Sequence, residues 1–106
     1  MWIFLSDAFL SVVADHDDPE GEQLLVRARR HGHIERVFPE AEVFSVAGSD
    51  YAFRAWVPRQ QVAEALQDQV MGIRYPNFKA SIRDNAYHEA ALQAWSAMHG
   101  FQRRHL

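Results

Sequence analysis

At 106 residues, 48% hydrophobic and 12% aromatic, the chain is too apolar to be disordered and too short for two separate cores. The absence of cysteine excludes disulfides, thiolate zinc sites and thiol nucleophiles, and it fits a cytoplasmic protein. A net charge of −3 disfavours direct binding to a nucleic-acid backbone, which calls for a basic footprint.

The opening MWIFLSDAFLSVVAD has no basic start, and Asp7 interrupts its apolar run. It reads as two core strands, 2–6 and 9–14, rather than a signal peptide or a membrane span. Asp7-Ala8 is a turn between them or a bulge in one long strand. DHDDPEGEQ, residues 15–23, is an exposed loop. Residues 24–30 alternate: Leu24, Val26 and Ala28 share one strand face, and Leu25, Arg27 and Arg29 share the other. After Gly32, residues 33–39 hold about two helical turns, with Ile34, Val37 and Phe38 on one side.

Residues 41–47 and 51–57 form a hairpin around Gly48-Ser49-Asp50. Its second strand points Tyr51, Phe53, Ala55 and Val57 one way and Ala52, Arg54 and Trp56 the other. Pro58 suits a helix start, and the helix that follows carries Val62, Leu66 and Val70 in a stripe with Ala63 beside it, until Gly72 stops it. Residues 73–75 make a short edge strand before Pro76. Asp84 or Asn85 caps a last helix with the stripe Tyr87, Ala91, Trp95 and Met98, ending at Gly100. The whole is a single α+β domain: an antiparallel sheet of 4–5 strands with two main helices. From residue 24 the order matches the split β-α-β of ferredoxin-like folds, with an N-terminal hairpin and a C-terminal helix added.

No familiar catalytic motif is present. The six serines lie in neither a GxSxG elbow nor an SxxK pair. The five glycines are scattered, so no phosphate loop forms and no cofactor is implied. His16-Asp17-Asp18 and His31-x-His33 lack the further ligands a metal site needs. Asp7 and Asp15 are a candidate carboxylate pair for a divalent ion, with turn formation as Asp7's competing role. His88 is a candidate proton carrier for a small-molecule site.

Charge offers the better signal. Arg27, Arg29, Arg30, Arg36 and Arg54, with Trp56, form a cluster that can pair with and stack on an anionic partner. The competing expectation pairs them with Glu35 and Glu42 on a solvated face. Asp15, Asp17, Asp18, Glu20 and Glu22 form the mirror case, an acidic loop able to enter a partner's basic groove or simply be solvated. Tyr75 and Phe78 in YPNFK are expected in the core.

The segments WIFLSDAFLSVVAD, LLVRARRHGHIERVFPEAEV, YAFRAWVPRQQVAEAL and YPNFK resemble a family of small bacterial hypothetical proteins, from which no site residue carries over. In being small, acidic, cysteine-free and without catalytic motifs, the chain also resembles phage and mobile-element inhibitors such as anti-CRISPR proteins. That likeness implies a non-enzymatic interaction module that binds a protein or a protein–nucleic-acid complex through charged surface. The alternatives are a nucleic-acid-binding or metal-dependent nuclease domain and a small-molecule site or enzyme. No membrane partner is expected, and a sheet face bearing Trp56 suits a homodimer.

Overall fold

Strand alternation decides which side of the sheet becomes core. In the computed structural model, which describes residues 1–106, the first strand β1 (Trp2–Phe4) pairs with β2 (Phe9–Ala14). The turn expected at Asp7-Ala8 therefore forms, but β1 stops at Phe4, and Leu5–Ala8 closes the hairpin through a Leu5 N–H to Ala8 carbonyl hydrogen bond of 2.8 Å. Next come β3 (Gln23–Ala28), the short helix α1 (His33–Val37), β4 (Phe44–Ser45) and β5 (Phe53–Pro58). All neighbours are antiparallel, in the order β1-β2-β3-β5-β4. With its helices this is an α+β fold.

β3, α1, β4 and β5 reproduce the split β-α-β order, with β5 returning between β3 and β4. The further strand expected at 73–75 does not form; that stretch is irregular. Pro76 limits any strand there, and the edge of β3 is already paired with β2 from Ser11–Arg27 to Ala14–Leu24.

The core lies on one side of this sheet. Leu10 and Val12 from β2, Val26 and Ala28 from β3, and Ala55 and Val57 from β5 meet Ile34 and Phe38 from α1 and its end. Val62 joins them from the helix α2 (Arg59–Met71). Each fully buried Leu, Ile or Phe contributes roughly 1.5–3 kcal/mol, so this cluster is the main source of cohesion in the unit Met1–Ile73. The expected stripe of α2 holds at Val62 and Leu66 but fails at Val70, which is 64% exposed. Ala65, not Ala63, flanks it. The helix outruns the core it starts on.

The hairpin of 41–57 is shorter than its pattern suggests. Gly48 takes the left-handed conformation at φ 75°, and the strand does not begin until Phe53. Tyr51 therefore lies outside the alternation and is not on the core face. It is 97% buried, against the arginines of the opposite face.

The second unit, Arg74–Leu106, consists of α3 (Phe78–Ser81) and α4 (Asn85–Arg104). Asp84 caps α4, its carboxylate accepting from the Tyr87 N–H at 2.9 Å. Gly100 does not end this helix. Its backbone is not left-handed, and the ~1 kcal/mol that glycine costs inside a helix is small beside the good helix formers around it, Ala97, Met98, Gln102 and Arg103. Tyr87 and Ala91 are buried as expected, whereas Trp95 and Met98 are not. Tyr75 and Phe78, expected in the core, are half-buried and pack edge-to-face on each other at 5.7 Å.

Candidate functional site

The acidic loop is a built structure. At its start the Asp15 carboxylate accepts from the Asp17 N–H at 2.9 Å, and the Asp18 N–H reaches the Asp15 carbonyl at 3.2 Å. A second turn follows, with the Gly21 N–H on the Asp18 carbonyl at 3.0 Å. Asp18 lies directly over Gly21, in space that a Cβ there would claim. The end of the loop is tied by Arg59, the first residue of α2. Its guanidinium donates to the Gly21 carbonyl at 3.0 and 3.2 Å and to the Pro19 carbonyl at 3.3 Å. Its own N–H donates to the Glu22 carbonyl.

Arg59 thus binds the loop's backbone and not its carboxylates. Asp17, Asp18, Glu20 and Glu22 are all exposed. Of these, Asp17 meets a cationic group only if His16, 3.3 Å away, is protonated. Four acidic side chains project from an ordered backbone.

The arginine cluster is arranged otherwise. Register places Arg27 directly opposite Arg54, with Ser11 on the other side of Arg27. Like charges opposite each other destabilise a sheet unless the fold supplies partners. It does so with the turn at 49–51. Tyr51 inserts its ring against both Arg27 and Arg29, whose guanidinium carbons lie 4.4 and 4.1 Å from its centroid. Arg27 donates to Ser11 Oγ at 2.8 Å, and Arg29 to the Asp50 carbonyl at 2.7 Å. Arg54 donates to Ser49 Oγ at 2.6 Å and to the Tyr51 carbonyl at 3.3 Å, and pairs with the Asp50 carboxylate at 3.7 Å. Their partners are Ser11, Ser49, Asp50 and Tyr51, not Glu35 or Glu42. Buried Arg27 Nε alone has no hydrogen-bond partner.

Arg30 and Arg36 serve a different place. Arg36 pairs with Asp7 at 3.9 Å. His33 is buried, and its Nδ1 accepts from the Phe9 N–H at 3.0 Å, which requires the neutral ring. Burial, assisted by the positive charges of Arg30 and Arg36, lowers the His33 pKa. Trp56 is 45% exposed on the arginine side of the sheet, but its cross-strand partner is Leu25.

The metal candidates separate. His31 packs against Phe53 at 5.6 Å while His33 faces Phe9. Asp7 precedes β2 and Asp15 follows it, so the length of the strand, about 20 Å for six residues, lies between them. No group of three or more His, Asp or Glu side chains converges.

Two residues of consequence escape sequence reasoning. Arg59 follows the helix-start signal of Pro58 with no signal of its own, and Tyr51 reads as a strand residue on the face of Phe53, Ala55 and Val57. The contacts that define both come from distant parts of the chain. No family model, no curated protein and no solved structure matches the chain. No helix is long and apolar enough to cross a membrane.

Proposed function

We propose that the chain is a non-enzymatic interaction module that docks its acidic loop, 15–22, onto a basic surface of a protein or protein–nucleic-acid complex. One observation carries this reading. Arg59 and the Asp15 turn hold the loop's backbone, while Asp17, Asp18, Glu20 and Glu22 stay outside. Charge held on an ordered loop loses little entropy on docking, and it speeds encounter with a positive groove. A groove that normally holds nucleic acid has that chemistry, so an inhibitor of the anti-CRISPR kind is the concrete form of the proposal. The arginine side is the weaker candidate, because its donors already serve the 49–51 turn.

The test is competition. Purified nucleic-acid-binding effector complexes, each holding labelled DNA or RNA, are titrated with the protein. The expected result is displacement or blocked loading in at least one complex, weakened about tenfold or more when Asp17, Asp18, Glu20 and Glu22 are changed to Lys. Inhibition that persists in that variant, or inhibition of none of the complexes, overturns the reading.

A further inference from the structure

The distal half of α4 leaves an apolar seam uncovered. Tyr87, Ala91, Ala94, Met98, Phe101 and His105 alternate steps of four and three, so they share one face. Tyr87 and Ala91 are buried, yet Met98 and Phe101 on the same seam are 64% and 51% exposed. Trp95, 49% exposed, borders it. Its ring lies 5.0 Å from Lys79 Nζ and 5.0 Å from the stacked His99 ring, and Phe101 packs on His105 at 4.5 Å. An open depression lies among the side chains of Trp95, Met98, Phe101 and His105.

We propose that the seam is a self-association surface, in which the distal half of α4 packs antiparallel against the same half of a second copy. Three features select this occupant. The spacing is that of a helix-pairing seam and not of a flat contact. The exposed parts of Trp95, Met98 and Phe101 amount to roughly 350 Å² on each copy, and Gln102 and His105 extend it towards the ~800 Å² that each partner of a stable interface buries. Centred between His99 and Gly100, an antiparallel pair sets Met98 level with the second copy's Phe101, and small Ala94 level with the second copy's His105. A parallel pair would instead bring Arg103 and Arg104 of both copies together with their helix dipoles aligned. A lipid surface is the poorer fit, since the opposite face carries Glu89, Ser96 and a single Arg103 instead of a basic row, and the net charge is −3.

Sedimentation velocity on the whole protein, from about 1 to 200 µM, tests this. The expected result is a concentration-dependent dimer, weakened about tenfold or more by Met98→Glu and by Phe101→Glu, and unchanged by Ser96→Glu, with helicity checked by circular dichroism. A monomer at every concentration overturns the proposal. So does a dimer indifferent to both seam variants, or a monomer that co-sediments with phosphatidylserine vesicles, which would assign the seam to lipid.

Discussion

Arg27, Arg29 and Arg54 sit on the sheet or beside it, and their guanidinium groups turn onto one tyrosine and one turn. Asp17, Asp18, Glu20 and Glu22 sit on a loop whose backbone is held by Arg59, while their exposed carboxylates meet nothing beyond the neighbouring His16. Both clusters stand out equally in the sequence. The difference comes from where the chain places them. Paired strands fix Arg27 against Arg54, so their repulsion must be relieved within the fold. An arginine also carries five donors that need acceptors when half-buried. A loop imposes no such pairing, and each acid is free to turn outward. A cluster of charge on a sheet is therefore weaker evidence for a partner than the same charge on a tied loop.

The largest expected effect lies on the arginine side. Tyr51→Ala removes a buried ring and leaves the guanidinium groups of Arg27 and Arg29 without the ring they pack on. It should lower stability by about 3–4 kcal/mol in urea unfolding, whereas Tyr51→Phe, which keeps the ring, should lose less than about 1 kcal/mol. A neutral Tyr51→Ala would mean that the arginines do not depend on the turn, and the contrast would fail.

Next in size is the tie that orders the acidic loop. Arg59→Ala should cost about 1–2 kcal/mol and make 15–22 a preferred site of limited proteolysis. Arg59→Lys should recover only part of this, because an ammonium cannot span the Gly21 and Pro19 carbonyls as the planar fork does.

These two residues also mark the limit of what the sequence discloses. Alternation at 24–28 and 53–57 identifies the core faces because one period applies along each strand. Asp84 is legible as a cap because its partner, Tyr87, is three residues away. Arg59 reaches carbonyls 38 and 40 residues distant, and backbone carbonyls leave no trace in residue type. Tyr51 shares a face with Phe53 only if the alternation runs back through the turn, and there the chain has not yet entered the strand. Val70, Trp95 and Met98 fit their helical stripes, yet periodicity reports which face is apolar and not how far along a helix the cover extends.

A pH dependence sharpens the role of Arg30 and Arg36. The folded pKa of His33 lies below its ordinary value of 6.5, through burial first and then the two arginines. The unfolded chain therefore binds the proton more readily. Stability contributed by the neutral ring is complete above 6.5 and declines as pH falls from there towards the folded value. Urea midpoints should fall across that window in the wild type, and His33→Gln should flatten this part of the profile. An identical slope in the variant would place the acid sensitivity elsewhere.

The smallest expected effect is the most informative about the loop. Changing Asp17, Asp18, Glu20 and Glu22 together to Lys should shift stability by less than about 0.5 kcal/mol, since none of these carboxylates holds the fold. Asp15→Ala, one residue from His16, should cost more, about 1 kcal/mol, because its carboxylate fixes the turn at Asp17. The order matters more than either value. If the four-fold reversal proved as damaging as Tyr51→Ala, the acids would be structural in the way the arginines are, and the reason for assigning the loop to a partner would be gone. If the reversal leaves the urea midpoint in place while abolishing competition at a basic groove, folding and docking lie on different atoms of one loop: its backbone, held by Asp15 and Arg59, and the outward carboxylates of Asp17, Asp18, Glu20 and Glu22, of which only Asp17 has a side-chain neighbour, His16.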